Sequence, residues 1–539
     1  MFSFFALYVF TFLLAAFGHP SWVPQLGVIV AAAGYAFFWA ALFQMRAWSA
    51  RARFWLAFFW YAAVLAIHLS WMTSLEHMGP FMLVAYFIYL GMFALQFGFF
   101  SLFVFRLHPF GLAGLWTLME WIRLFFLTGF SGNPAGLSLS CTPFSIQFAS
   151  FLGIYGLTFW VILTNLVLLR AFFHKSRNQL ACWLVLVLVP YGFGIINKSL
   201  IMNDLNNSPT FIAKLVDTGL SIEEKMRDRA HLEAFIPPLV QWERVWELLG
   251  SAPCDLIALP EGAFPYSVST PFCPLEWAKE HWKSHYNTEP FPSLKPPFAY
   301  PLIRGGKSDW VVTNAFFAQT LANHYDAEVV VGLSRETREG VNNAAYHFRP
   351  GYEEEPEWYA KQILAPIGEY LPFRNVPGIA SFIASEYGIE DFFQPGEEWK
   401  VFSSSIAPFA VPICLEEIHP GFVRRFRKEG ASLLIGLSND AWFPDSKLAR
   451  QHFDHARLRA VENGVFFLRS TNRGIPGMVD CFGQLIASGE GPIVVEVEVP
   501  IFSFRTFYSY VGDWGIVTLS IISFLVAMRK KLLLNGRLR

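Results

Sequence analysis

The sequence predicts a membrane region of about eight α-helices joined to one soluble α/β domain. Three observations predict it. Apolar runs long enough to span a bilayer fill the first 200 residues and recur once near the end. Charge is divided by region. Short β-rich runs occur only in the block between. The chain has 539 residues, 54% hydrophobic, 17% aromatic and 15% charged. That charge content is well below the soluble average of about 25%. Residues 1–197 hold eight basic and two acidic residues, 198–511 hold 28 and 39, and 512–539 hold five and one. The net of −1 is therefore +6, −11 and +4 across unlike regions. Length excludes a single small soluble domain and composition excludes a disordered chain. An acidic soluble block argues against a nucleic-acid partner, because phosphate binding needs clustered Lys and Arg.

Spans are expected at about 2–18, 23–44, 54–74, 80–105, 110–129, 147–169, 180–197 and 512–528. A spanning helix needs about 20 apolar residues. The first run has no basic segment before it and leads directly into another span. It therefore reads as a helix, not a cleaved signal peptide. The expected organisation is a seven-helix region over 1–200, a soluble domain over 205–505, and a final helix with a basic tail over 508–539. Loop cations set the expected orientation. Arg46, Arg51 and Arg53 follow span two, Arg106 span four, Arg170, Lys175 and Arg177 span six, and Arg529, Lys530 and Lys531 span eight. Basic loops stay in the cytoplasm, so the soluble block, which follows span seven, is expected outside it. In a bacterium with two membranes this is the periplasmic side of the inner membrane. Within span five, Glu120 and Arg123 share one helical face. Charges at such a depth are costly. They read either as a structural ion pair or as a polar patch near a substrate headgroup.

The soluble block has strand-like runs at Phe211–Val216, Asp255–Leu259, Glu328–Leu333, Phe409–Ile413, Ser432–Leu437, Val465–Ser470 and Ile493–Val499. Helices are expected over Ile222–Gly250 and Lys447–Asn463. Residues 266–314 are rich in Pro, Trp and His without a clear period. They read as an ordered excursion: a lid whose aromatics (Trp277, Trp282, Tyr286, Phe291, Phe298, Tyr300) rest at the membrane interface, or a packed insertion. The six cysteines are widely spaced, with neither a Cys-x-x-Cys nor zinc-ligand spacing. No metal and no disulfide framework is expected, with a Cys254–Cys273 bond left open.

Three motifs follow strand-like runs. Leu259-Pro-Glu261-Gly delivers a carboxylate to a strand end, where partial desolvation makes it a base. Taken alone, it reads as a strand-end turn glutamate. Tyr359-Ala-Lys361 leads through an apolar run into Gly368-Glu369-Tyr-Leu-Pro. A lysine near a reacting carbonyl stabilises developing negative charge; alone it reads as a surface lysine. Val411-Pro-Ile-Cys414-Leu415-Glu416 ends a strand in a cysteine. A nucleophilic cysteine needs a neighbouring base or cation, and none lies in the motif, so Glu261 and Lys361 would have to approach in space.

Taken together and in this order, Glu261, Lys361 and Cys414 resemble the Glu-Lys-Cys triad of the nitrilase, or carbon–nitrogen hydrolase, superfamily. The likeness continues through Ser438-Asn-Asp-Ala-Trp-Phe443, Gln451-His452, Ala456–Glu462 and Arg469-Ser-Thr-Asn-Arg-Gly474. With the seven-plus-one helices and Glu120-Trp-Ile-Arg123, it resembles the membrane branch of that superfamily, the apolipoprotein N-acyltransferases. The resemblance implies an αββα nitrilase-like sandwich and no cofactor. It implies acyl transfer from a phospholipid donor, through a Cys414 thioester, to the N-terminal amine of diacylated apolipoproteins, as a monomer in the inner membrane. Glu261 would be the base, and Lys361 with the Leu415 backbone N–H the oxyanion donors. Glu369 would orient Lys361, while Glu416, Asn439 and Trp442 would support the site or line its mouth. A membrane-tethered carbon–nitrogen hydrolase with the same triad is the alternative, and a catalytically silent lipoprotein-binding scaffold a third reading. The chain departs from the family pattern at Leu415 and Met226, both positions where the family often has an aromatic residue. Trp242 lies too far along to replace the latter.

Overall fold

The computed structural model describes residues 2–126, 129–225, 233–304, 307–371, 378 and 392–536. Helices occupy Phe2–Phe17, Pro24–Gln44, Ala50–His68, Phe81–Ser101, Pro109–Ile122, Ala149–His174, Arg177–Asn206 and Asp513–Gly536. Five helical stretches among the described residues are long and apolar enough to cross a membrane: Pro24–Gln44, Ala50–His68, Met82–Ser101, Ser145–His174 and Arg177–Asn206.

The expected fifth span is shorter than the sequence suggests. Its helix stops at Ile122 and gives way to short 3-10 turns at Arg123–Phe125, Ala135–Cys141 and Ser145–Phe148. Non-helical backbone at membrane depth is tolerated only where protein satisfies its polar groups. Glu120 does this: its carboxylate accepts from Trp116 Nε1 (2.7 Å), Ala135 N (2.9 Å) and Thr158 Oγ1 (2.6 Å). Arg123 donates to Gln96 Oε1 (2.9 Å) and Ser131 O (3.3 Å), with its guanidinium 4.1 Å from the Phe93 ring centroid. Both charges brace the irregular segment.

The α/β block contains two facing sheets. The first has the order β14-β1-β2-β6-β7-β8 and the second β13-β12-β11-β10-β9. In the first, β1 (Thr210–Asp217), β2 (Leu256–Leu259) and β6 (Glu328–Thr337) are parallel, and β7 (Gly340–Phe348), β8 (Glu357–Ala360) and β14 (Ile493–Pro500) add antiparallel edges. In the second, β9 (Phe409–Ala410), β10 (Leu433–Asn439) and β11 (Phe466–Asn472) are parallel, followed by β12 (Gly477–Val479) and β13 (Leu485–Ser488). Strand alternation decides the layering. Leu215, Ala258 and Val330 face the second sheet and pack with Leu434 and Phe467. Val216, Ile257 and Val331 face outward onto helices Pro238–Leu249 and Asn314–Tyr325. This is the expected nitrilase-like sandwich.

One expectation changes and two open readings are decided. The helix expected over Ile222–Gly250 is two helices, Ile222–Lys225 and Pro238–Leu249, the second opened by Pro237-Pro238. Cys254 and Cys273 are both free thiols. The excursion is a packed insertion: helix Leu275–His285 and a small sheet β3-β5-β4 (Cys273–Pro274, Lys307–Val312, Ala299–Arg304). Trp282 and Phe298 are buried in the core beneath it, and of the six aromatics only Trp277 is largely exposed.

Buried polar bonds join the two regions. Ser21 Oγ donates to Asp454 Oδ2 (2.8 Å), Gln451 Nε2 to His68 O (2.8 Å) and Ile154 N to Glu462 Oε1 (2.8 Å). Leu458 and Val461 on helix Leu448–Asn463 enter the membrane-region core. The ends of the strands that carry the candidate residues therefore lie against the helices.

Candidate active site

Three strand ends converge. The run Leu256–Leu259 is wholly buried, and the chain then turns through Pro260 and Glu261 at Gly262, whose φ is +49°. Gly332 on β6 lies beneath this turn. It donates its N–H to Pro260 O (3.2 Å), and a Cβ there would sit 2.6 Å from Glu261 Cα. Glycine is needed for this close approach.

Lys361 follows β8 and donates its backbone N–H to Asn343 O (2.8 Å). Its Nζ bonds Glu261 Oε1 at 2.9 Å and Glu369 at 2.9 Å to Oε1 and 2.8 Å to Oε2. The lysine is buried. Burial by itself would pull its pKa down, but Glu261, Glu369 and Cys414 raise it well above the usual lysine value. It is a fixed ammonium held by two carboxylates. Asn343 Nδ2 donates to Glu261 Oε1 and to Glu369 Oε1, each at 2.7 Å.

Cys414 stands where β9 runs out. Pro412 can give the ladder no N–H, and Ile413 makes the last bridge, to Leu437. Cys414 itself has φ +50°, an uncommon value for a residue with a side chain. It opens the 3-10 turn Cys414–Ile418. Burial first, then Glu261, pushes the thiol well above its ordinary pKa, while Lys361 opposes them. The resting group is a thiol beside a carboxylate and an ammonium. Glu261 and Lys361 line the same cavity as this thiol.

Glu261, Lys361, Glu369, Cys414, Leu415, Asn439 and Trp442 all line one cavity of about 350 Å³. Its far side is apolar and comes from the membrane region: Met72, Met78, Met82, Tyr89 and Phe130. Asn439 Oδ1 accepts from Asn472 Nδ2 (3.0 Å), and the Trp442 ring meets the His77 ring edge-on. Glu416 is the expected residue that the fold keeps out of the cavity. It is fully buried behind the cysteine, accepting from Tyr359 Oη (2.8 Å), Gln362 N (2.7 Å), Ile363 N (3.3 Å) and Ile413 N (2.8 Å). It ties the lysine loop to the cysteine turn. Burial raises its pKa to about 7, against bonds that lower it. Met226 lies outside the described residues. Trp242 is core, stacked on Phe264 at 3.7 Å between ring centroids.

Sequence reasoning missed two features here. Asn343 gives no local signal, because it is one of several polar residues, with Asn342, Tyr346 and His347, in strand β7. His452 appeared only within a resemblance motif. It contacts Cys414 O (2.8 Å) and Asp440 Oδ1 (3.1 Å), with Glu417 3.5 Å away. Burial lowers its pKa, but Glu417 and Asp440 outweigh this and raise it. The Cys414 turn is thus held on one side by the His452 imidazole and on another by Glu416.

Comparison with known proteins places both regions. Residues 12–167 match the family model described as the apolipoprotein N-acyltransferase N-terminal domain, and residues 235–498 match the carbon–nitrogen hydrolase model. The apolipoprotein N-acyltransferase of Chlamydia pneumoniae is 26% identical over 544 residues, covering 95% of each chain. That of Chlamydia trachomatis serovar D is 26% identical, covering 98% of this chain and 97% of its own. Among solved structures, a CN-hydrolase superfamily protein from Xanthomonas campestris aligns at 16% identity and TM-score 0.35, covering 57% of this chain and 97% of its own.

Proposed function

The chain belongs to the apolipoprotein N-acyltransferase family, and from that membership we propose that it acylates the N-terminal amine of diacylated apolipoproteins in the bacterial inner membrane. The donor is a membrane phospholipid, and the acyl group passes through a thioester on Cys414. The observation that carries the proposal is the cavity, which has Cys414, Lys361 and Glu261 on one wall and side chains of the membrane helices on the other. A water-soluble amide would need no such wall. A lipid ester does, because its chains must stay in apolar surroundings while its carbonyl reaches the sulfur.

In the first half-reaction Glu261 accepts the thiol proton as Sγ attacks the ester carbonyl carbon. The oxyanion is held by Lys361 and the backbone N–H of Leu415. One such donor is worth about 3 kcal/mol in the transition state. Collapse breaks the carbon–oxygen bond, and the departing glycerol oxygen takes the proton from Glu261. A lyso-phospholipid leaves and the thioester remains. In the second half the α-amine of the acceptor attacks the thioester, Glu261 takes its proton, and the sulfur leaves and recovers it. Glu369 and Asn343 hold Lys361 and Glu261 in register throughout. The active domain faces the periplasm, the side opposite the basic loops.

Incubating the protein with labelled phospholipid and then with a diacylated lipopeptide tests this reading. Label should pass to the peptide amine. Release of free fatty acid with no acylated peptide would instead identify a hydrolase.

A further inference from the structure

Lys225 ends the short helix after β1 and is only 3% exposed, yet it lines the cavity that holds Glu261 and Cys414. The other cations there are matched. Lys361 has two carboxylates in contact, and His452 has Asp440 and Glu417. Lys225 differs. Among the described residues its Nζ reaches only Glu261 O, at 3.5 Å, the outer edge of hydrogen bonding, and no carboxylate stands at ion-pair distance. Burial pulls its pKa down to about 8, while Glu261 and Asp217 act from further off to hold it up. A buried charge without a contact partner is costly, and a ligand that supplies an anion relieves that cost. Of the two substrates, the phospholipid brings a phosphodiester, tied through glycerol to the ester that Cys414 attacks. The acceptor brings an amine to the reacting centre, whose protonated form a lysine repels.

We propose that Lys225 binds the phosphodiester of the acyl donor, so that the cavity selects phosphoglycerides over neutral acylglycerols. This rests on the acyl-transfer reading above. Phosphate contacts with a lysine are charge-assisted hydrogen bonds. Their loss corresponds to about a ten- to hundredfold change in binding.

The test measures Cys414 thioester formation by mass spectrometry on the full-length protein in detergent micelles. The donors are phosphatidylglycerol and a diacylglycerol with the same chains. Wild type should acylate from phosphatidylglycerol at about tenfold or more lower concentration than from diacylglycerol. Lys225→Gln should raise the phosphatidylglycerol requirement about ten- to hundredfold more than the diacylglycerol requirement, while Lys225→Arg keeps the preference. Equal losses on both donors, or no change on phosphatidylglycerol, would overturn the assignment. Stimulation of diacylglycerol acylation by inorganic phosphate to the phosphatidylglycerol level would also overturn it, by assigning the site to a free anion. Wild type forming no thioester from either donor would instead overturn the acyl-transfer reading beneath it.

Discussion

Asn343 Nδ2 donates to Glu261 Oε1 at 2.7 Å, the same oxygen that accepts from Lys361 Nζ. Its second bond runs to Glu369. One amide nitrogen thus spaces two carboxylates around one lysine. Asn343→Ala should leave Glu261 free to turn and lower kcat by about 10²-fold, the cost of a small misplacement of a reacting group. Asn343→Asp should be worse, because a third carboxylate would meet the two already there. Steady-state kinetics on both variants check this; equal or greater activity in Asn343→Asp would contradict it.

The Cys414 thiol is pushed up by burial and by Glu261. Its alkylation by iodoacetamide, followed by mass spectrometry at that residue, should therefore keep rising with pH past 8 with no plateau. Glu261→Gln removes one of the charges holding the proton on. Alkylation at pH 8 should then speed up, although acyl transfer falls by about 10²–10⁴-fold for loss of the base. A wild-type plateau below pH 8 would mean a resting thiolate.

Glu416 concerns stability as well as position. Its folded pKa, about 7, lies above the ordinary glutamate value of 4.5. The folded state therefore binds the proton more tightly than the unfolded one, and stability falls as pH rises from 4.5 to about 7. Glu416→Gln should make that slope shallower by one group's share, leaving the parts due to Glu462 and Asp217, whose carboxyls burial also raises to about 7 and about 6. It should also cost about 1–3 kcal/mol, because an amide group would face the N–H of Ile413 or Gln362 without accepting it. Thermal unfolding across this pH range measures both effects.

How much of this was legible in the sequence depended on locality. Strands β2, β6 and β10 announce themselves as short, nearly continuous apolar runs, because both of their faces are buried, whereas β1 and β11 interrupt theirs with the buried charges Lys214 and Arg469. The run Phe409–Ile413 looks the same but yields only Phe409–Ala410, since Pro412 and the turn at Cys414 end the ladder. The run 110–129 looks like a full span, yet Glu120 supports irregular backbone beyond Ile122. Glu261, Lys361 and Cys414 could be named from their motifs. Asn343 and Lys225 could not, because their roles arise from elements that meet only in the folded chain. The aromatic excursion could not be resolved either. Its Trp and Phe content suits a membrane-facing lid or a core equally well, and burial of Trp282 and Phe298 decides for packing.

The central claim is that the acyl group travels through sulfur at Cys414. Intact-protein and peptide mass spectrometry after incubation with phospholipid alone, without acceptor, tests it most directly. The expected result is one fatty-acyl mass on the Cys414 peptide, labile to hydroxylamine, absent in Cys414→Ala, and discharged when a diacylated lipopeptide is added. An unmodified Cys414 in a preparation that still acylates lipopeptide would contradict the account.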